Sequence, residues 1–238
     1  MEQKKFGVSG STLKIMALVI MLIDHIGAVI VMRTMSAPGF DHDFWGSLYW
    51  PLRYVGRLAF PVFCFLLVEG FSYTSNVKKY LGRIILFALI SEIPFDLALT
   101  GQWLDFQYQN VFWELAVGIL AMMAIDYIEK SNFSYVPQVI FRLTAIAVLA
   151  VGAEALQLDY GMYGVISIVA LYAFKKNKWY QLLIGAITFC WEPVAPIAFL
   201  LLAFYNGERG RKIKYTFYIF YSTHLLVLYI IARVIGCL

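Results

Sequence analysis

Apolar residues divide the chain into about nine hydrophobic stretches, and short polar or basic segments separate them. A transmembrane helix needs about 20 predominantly apolar residues, and several stretches approach this length. The pattern therefore predicts an all-α fold, a polytopic transmembrane helix bundle of about nine spans. The predicted spans are Leu13 to Met32, Tyr54 to Tyr73, Tyr80 to Leu99, Val111 to Tyr127, Val139 to Leu156, Met162 to Phe174, Tyr180 to Cys190, Val194 to Tyr205, and Thr216 to Ile235.

The seventh and eighth stretches are too short to cross a full membrane core. Glu192, Pro193 and Pro196 lie between or within them, and proline interrupts helical hydrogen bonding. We therefore expect a pair of short, broken or re-entrant helices in this region. No repeat, low-complexity tract or soluble segment interrupts the pattern, so residues 1–238 are predicted to form a single integral membrane domain.

Composition agrees with this interpretation, because 61% of the 238 residues are hydrophobic and only 14% are charged. The net charge of +4 does not indicate nucleic acid, since membrane topology accounts for most of the basic residues. With the amino terminus in the cytoplasm, all but four of the 19 lysines and arginines fall on the cytoplasmic side. This distribution predicts a cytoplasmic amino terminus and an external carboxyl terminus.

The longest predicted exterior connection runs from Arg33 to Arg53 and is rich in aromatic residues. Trp45 and Trp50 suit the membrane interface, and Pro38 favours a turn. We expect an interfacial loop here, and a lid over an outer site is an equally good interpretation.

Asp24 and His25 lie side by side in an otherwise lipid-soluble stretch, Leu18 to Ile30. An ionisable residue at this depth costs roughly 2.5–3.5 kcal/mol on insertion scales, which indicates a function. At about 1.5 Å per residue, His25 and Glu92 each lie roughly 18 Å above the cytoplasmic boundary, and His224 roughly 12 Å. Three titratable groups from three helices are therefore predicted to share one layer.

Neighbouring helical side chains diverge by about 100°, so Asp24 is badly placed to orient the His25 ring. We expect a carboxylate from another helix, such as Glu92, to orient His25, and Asp24 to hold a neighbouring helix. A purely structural alternative stays open, because an intramembrane histidine such as His224 often serves as a helix-to-helix hydrogen-bond partner.

Other charged residues are candidates for a polar passage between the leaflets. Arg57 and Glu114 are predicted near the outer boundary, although Arg57 is also placed to snorkel to the interface. Glu69 lies in the cytoplasmic half of its span and is also a candidate packing residue. A basic cytoplasmic edge is a candidate site for a phosphorylated donor, although the positive-inside rule predicts most of it. That edge consists of Lys78, Lys79 and Arg83.

No nucleotide-binding loop, dinucleotide fingerprint, serine elbow or zinc-ligand spacing accompanies these residues. This argues against ATP-driven transport and metal-dependent hydrolysis, and no metal site is predicted.

The ordered combination of short motifs resembles the TraX family of membrane acetyltransferases and covers nearly the whole chain. The chain departs from the family pattern at two positions. Ser222 stands where a proline usually precedes the late histidine, His224, and Glu114 stands where a small hydroxyl residue is common. The matching segments are Leu13-Lys14 through Ile23-Asp24-His25-Ile26, Gly56-Arg57-Leu58-Ala59-Phe60-Pro61-Val62-Phe63, Glu69-Gly70-Phe71 with Thr74, Lys79-Tyr80-Leu81 with Arg83, Ser91-Glu92-Ile93-Pro94-Phe95-Asp96, Gln109-Asn110-Val111-Phe112, Asp159-Tyr160-Gly161 with Gly164, and His224-Leu225-Leu226.

The resemblance implies a compact transmembrane acyltransferase in a bacterial inner membrane. Its acyl donor would be cytosolic acetyl-CoA, and its acceptor an amine or hydroxyl at the outer face, on an envelope protein amino terminus or a glycan. His25 would be the general base, with Asp24, Glu92 and Arg57 in the catalytic set. Arg57 or Asn110 would stabilise the oxyanion or position the acceptor. The donor would bind at Lys78, Lys79, Arg83 and Glu69, and the acceptor at Asn110, Glu114 and His224.

Two other function classes stay open at this point. A proton-coupled transporter or flippase would also use intramembrane acids and histidines as a relay. A non-catalytic membrane subunit would retain the scaffold without the chemistry. The identity of the acceptor is likewise open. The sequence also does not decide between direct transfer and an acetyl-histidine intermediate, or whether the protein forms a homo-oligomer.

Overall fold

The computed structural model describes residues 6–211 and 214–237. Within these ranges the extended backbone pairs only at two isolated bridges, and all longer elements are helical. The predicted all-α fold is therefore confirmed. In order, the elements are α1 (Gly10–His25), a π-helical segment (Ile26–Val31), α2 (Met32–Thr34), α3 (His42–Gly56), α4 (Ala59–Tyr73), α5 (Val77–Leu99), α6 (Val111–Glu129), α7 (Tyr135–Ala155), α8 (Gly161–Ala173), α9 (Lys178–Thr188), a 3-10 turn (Ala195–Ile197), α10 (Ala198–Ala203) and α11 (Lys214–Val234).

Five helical stretches in the described part of the chain are long and apolar enough to cross a membrane. Helix α5 is also 23 residues long, but it carries several charged residues. The chain is therefore a multi-pass membrane protein built as a helical bundle. The five stretches are Gly10–Thr34, His42–Tyr73, Val111–Glu129, Tyr135–Ala155 and Tyr215–Val234.

The short seventh and eighth segments are confirmed. Helix α9 contains 11 residues. The region after it contains a three-residue 3-10 turn followed by the six-residue helix α10. Pro196 lies in the first turn of this region, where a missing backbone N–H costs little.

The predicted exterior loop between Arg33 and Arg53 is wrong for most of its length, because α3 begins at His42. The Asp41 carboxylate caps this helix by accepting a hydrogen bond from the Phe44 amide at 3.0 Å. This aromatic-rich segment thus forms a capped helix at the start of the membrane-length stretch His42–Tyr73, and its exposed aromatic side chains suit the membrane interface.

The predicted second span, Tyr54 to Tyr73, is interrupted at Arg57 and Leu58. Helix α3 ends at Gly56, and α4 begins two residues after Arg57. The break places Arg57 at a helix terminus rather than in the middle of a continuous span.

The chain contains two compact units, which are described separately. The first comprises Met1–Phe63, Ile93–Leu104 and Glu192–Leu238. In this unit α1 packs against α3 and α11, and the π-helical segment contacts the same two helices. Gly27 in the π-helical segment allows close approach, because a Cβ atom there would lie 3.1 Å from Leu52 Cβ.

The second unit comprises Cys64–Glu92 and Asp105–Trp191. Here α6, α7 and α8 pack against one another, and α9 packs on α8. Helix α7 directs large apolar side chains outward, with Leu143, Val148 and Val151 more than 60% exposed. Such a surface suits lipid, because hydrocarbon solvates these side chains and the helix satisfies its own backbone.

A break in α-helical geometry follows His25 directly. Ser9 caps α1 by accepting a hydrogen bond from the Thr12 amide, and regular α-helix continues to His25. From Ile26 the backbone widens into a π-helix, and the Met32 amide donates to the carbonyl of Gly27, five residues earlier. π-Helical turns inside α-helices are frequent at functional sites.

Gly56 sets the distance between α1 and α3. A Cβ atom at this position would overlap the Asp24 carboxylate and the Asp24 Cβ atom. The last turn of α3 can therefore approach Asp24 only because residue 56 has no side chain.

We predict that Gly56→Ala destabilises the protein, because the added methyl group must displace Asp24 or separate the helices. Overpacking of this kind costs about 1–3 kcal/mol. The measurement is the midpoint of thermal unfolding in detergent, with Gly152→Ala in α7 as the matched control, since a Cβ atom there meets nothing within 4 Å. Equal midpoints for the two variants would contradict the predicted close contact.

Candidate active site

Two intramembrane histidines from different helices meet in the first unit. His25 Nδ1 lies 2.7 Å from His224 Nε2, and the ring centroids are 4.9 Å apart. His25 ends α1 and His224 lies in α11. Sequence reasoning placed both near one layer of the membrane, and the structure brings their rings into hydrogen-bond contact.

The hydrogen bonds define which ring nitrogens carry protons. His224 Nδ1 lies 2.7 Å from the Phe220 carbonyl oxygen, which can only accept, so Nδ1 carries the proton. In the neutral ring, His224 Nε2 is then an acceptor, and His25 Nδ1 donates to it. The neutral His25 ring consequently has an unprotonated Nε2, which makes no hydrogen bond within the described part of the chain.

Aromatic side chains hold the His224 ring in place. The Phe220 ring stacks on it at 4.9 Å with an interplanar angle of 12°, and the Tyr221 ring meets it edge-on at 5.7 Å. His224 is buried, whereas His25 is only half-buried. The arrangement therefore presents a fixed acceptor, His224, to the more accessible ring of His25.

Asp24 forms an ion pair that ties α1 to α3. Its Oδ2 atom lies 2.7 Å from Arg53 Nη1, and both side chains are largely buried. The expected divergence of Asp24 and His25 is thus observed, with one side chain directed to α3 and the other to α11. Asp24 supports the site through the packing of α1 and does not contact the His25 ring.

A second ion pair joins Arg57 and Glu192, with 3.5 Å between Arg57 Nε and Glu192 Oε2. Sequence reasoning treated Arg53 as an exterior cation and Glu192 as a loop residue. It therefore did not predict that Arg53 pairs with Asp24 or that Glu192 pairs with Arg57. The spacing of Arg53 and Arg57 was the available signal, because residues four apart lie on one helix face.

The side chain that meets His25 Nδ1 is His224, where sequence reasoning expected a carboxylate such as Glu92. Glu92 lies in the second unit, where its Oε2 atom accepts hydrogen bonds from Asn110 Nδ2 at 2.5 Å and Trp113 Nε1 at 2.7 Å. Position along a helix gives no information about the direction of the side chain, so these two partners could not be predicted. Trp113 is a further partner that sequence reasoning missed.

The hydrogen-bonding groups of the Asn110 side chain all have partners within the fold, which argues against its predicted contact with an oxyanion or acceptor. Its Oδ1 atom caps α6 by accepting from the Phe112 amide at 3.0 Å. Its Nδ2 group donates to the Ala88 carbonyl at 2.9 Å and to Glu92. An amide side chain has two N–H bonds, so no donor is left for a ligand.

Glu114 is completely buried in the first turn of α6 rather than open to an outer surface. A Cβ atom at Gly164 would lie 2.5 Å from Glu114 Oε1, so the absence of a side chain there makes room for the carboxylate. The proposed acceptor contact of Glu114 therefore requires a movement of the surrounding helices.

The predicted donor-binding residues lie in the second unit, around the start of α5. Lys78 and Lys79 are exposed, and the Arg83 guanidinium lies 5.6 Å from the Tyr80 ring centroid. Glu69 is half-buried in the last part of α4. Within residues 6–211 and 214–237, no group of three or more histidine, cysteine, aspartate or glutamate side chains is placed to hold a metal ion.

These features define a multi-pass helical membrane protein with a hydrogen-bonded histidine pair between two of its helices. The family model described as "TraX protein" matches residues 9–232, and the chain belongs to this family. A Dichelobacter nodosus protein, "Probable fimbrial assembly protein FimC, serogroup H1", is 31% identical over 250 residues, covering 92% of this chain and 94% of the relative. No solved structure matches the chain.

We predict that Asp24 and Arg53 are energetically coupled. Neutralising either residue leaves the other charge largely buried and unpaired, whereas neutralising both removes the two charges together. A double-mutant cycle of Asp24→Asn and Arg53→Gln, measured by thermal unfolding in detergent, should give a coupling energy of about 0.5–3 kcal/mol. Additive effects of the two substitutions would contradict this prediction.

Proposed function

We propose that this protein is a transmembrane acetyltransferase with His25 as its general base. The supporting observation is the His25–His224 hydrogen bond, which leaves an unprotonated nitrogen on a half-buried ring inside a membrane protein. Membership of the TraX family supports acetyl transfer as the reaction, with cytosolic acetyl-CoA as the donor.

Acetyl-CoA supplies the acetyl group as a thioester. His25 Nε2 takes the proton from an acceptor N–H or O–H as the acceptor atom bonds to the thioester carbonyl carbon. The carbon–sulfur bond then breaks, and the departing sulfur takes the proton from the His25 imidazolium. The electrons of the broken bond leave with the sulfur, so the protein returns to its starting state.

His224 is a positioning residue in this scheme. Its Nε2 atom accepts a hydrogen bond from His25 Nδ1–H throughout, which keeps the unprotonated nitrogen of His25 directed at the acceptor. While His25 is an imidazolium, the same hydrogen bond becomes charge-assisted and stronger. Arg57 is the candidate for stabilising the negative charge on the thioester oxygen.

The acceptor is an amine or hydroxyl at the outer face. The fimbrial-assembly relative makes the amino terminus of a pilin-like subunit the first acceptor to test. The proposed location is the bacterial inner membrane, with the amino terminus cytoplasmic and the carboxyl terminus outside, as the distribution of basic residues predicts.

We predict that His25→Asn abolishes acetyl transfer without unfolding the protein. Asparagine retains a donor near the Nδ1 position for His224 but has no basic nitrogen, so activity should fall by roughly 10²–10⁴-fold. Mass spectrometry of envelope proteins and glycans from cells with and without the protein identifies the acetylated product, and release of free thiol from acetyl-CoA then gives the rate.

His42→Asn is the matched control, because His42 is the third histidine and lies on the exposed part of α3. It should retain full activity. Wild-type activity in His25→Asn would contradict the proposed base. Substrate flux into liposomes without acetyl-CoA, together with no acetylated product in cells, would instead indicate the proton-coupled transporter.

A further inference from the structure

A cavity of about 920 Å³ lies where the start of α1 meets the loop that follows α10. All of its lining residues belong to the first unit and fall within residues 6–15 and 204–211. The volume is in the range of pockets that hold cofactor-sized ligands. The predicted topology places this end of α1 on the cytosolic side.

The shape of the cavity depends on a glycine turn. Gly210 has a φ angle of +69°, and a Cβ atom there would overlap the hydroxyl groups of Ser9 and Ser11. The Arg211 amide donates to Ser11 Oγ at 3.0 Å. The loop is therefore held against the first turn of α1, and the Arg211 side chain stays exposed beside the cavity.

Hydroxyl groups form the polar wall of the cavity. Ser9 Oγ lies 2.9 Å from Ser11 Oγ and 3.0 Å from Thr12 Oγ1. Two oxygen–oxygen contacts use two of the three hydroxyl protons, so one proton is left to donate to a ligand. The amides of Gly10 and Ser11 already donate to loop carbonyls, so the hydroxyls and Arg211 are the lining donors that an anion would use.

Aromatic faces line the same cavity. Phe6 is 95% exposed and Phe204 is 59% exposed, and such exposed rings are stacking surfaces for a nucleobase. The Glu208 carboxylate also lines the cavity and is a suitable acceptor for an exocyclic amino group. Stacking surfaces, an acceptor, hydroxyls and an arginine together match a phosphorylated purine nucleoside better than a simple phosphate.

We propose that this cavity binds the phosphorylated adenosine end of acetyl-CoA. This inference rests on the acetyltransferase function proposed above. It assigns the nucleotide to the start of α1 instead of to the basic edge of Lys78, Lys79 and Arg83.

Helix α1 supplies a distance that supports this assignment. Thr12 lines the cavity and His25 ends the same unbroken helix, so the two residues are roughly 20 Å apart along its axis. The pantetheine arm between the pyrophosphate and the sulfur has the length of four to five extended residues, roughly 16 Å. The pyrophosphate and the length of the His25 side chain cover the rest of the distance along α1. The thioester would therefore arrive at the level of the His25 ring.

The test measures binding of adenosine 3′,5′-bisphosphate to the purified full-length protein in detergent by calorimetry. Arg211→Gln and Phe204→Ala should each weaken binding by about 10-fold. Thr12→Trp, which fills the cavity while leaving the Ser9 cap intact, should abolish binding. The control is Lys176→Gln, which removes an exposed cation outside the cavity and should bind like wild type.

The outcomes separate this inference from the proposed function. His25→Asn should bind the nucleotide normally although it transfers no acetyl group. Wild-type affinity in Arg211→Gln and Thr12→Trp, or a loss confined to Lys78→Gln and Lys79→Gln, would overturn the cavity assignment alone. Equal affinity for glycerol phosphate, the headgroup chemistry of anionic lipids, would also overturn it.

Discussion

The hydrogen bond between His25 Nδ1 and His224 Nε2 is the interaction on which the proposed chemistry depends. At 2.7 Å it joins α1 to α11 and determines the tautomer of both rings. Its consequence is an unprotonated Nε2 on His25, which is the feature that a general base needs. The rings of Phe220 and Tyr221 pack against His224 and fix the position of its ring. Since His25 donates to this ring, packing as well as the hydrogen bond determines the direction of the His25 ring.

The surrounding charges hold the helices that carry this pair. Asp24 and Arg53 connect α1 to α3, and Gly56 allows the two helices to approach closely. Arg57 pairs with Glu192 at the helix break that follows α3. Charges are costly in a membrane unless they are paired, so these contacts both lower the cost of burial and position His25 one residue after Asp24.

Much of this arrangement could be predicted from the amino-acid pattern. Hydrophobic length predicted the helical membrane fold, and helix rise correctly predicted that His25 and His224 lie at similar depth. The direction of each side chain could not be predicted, because azimuth depends on how the helices pack. Glu92 shows this clearly, since its position along α5 gave no indication that its carboxylate accepts hydrogen bonds from Asn110 and Trp113. The capped helix α3 was missed because its aromatic residues resemble those of an interfacial loop.

The proton positions in the histidine pair test the central claim most directly. Solid-state nitrogen NMR of ¹⁵N-histidine-labelled protein in lipid bilayers at neutral pH distinguishes protonated from unprotonated ring nitrogens. The chain has three histidines, so the His42→Asn variant leaves only the signals of the pair. We predict that both remaining rings carry the proton on Nδ1, with an unprotonated Nε2 on His25. A protonated Nε2 on His25 would contradict its assignment as the general base.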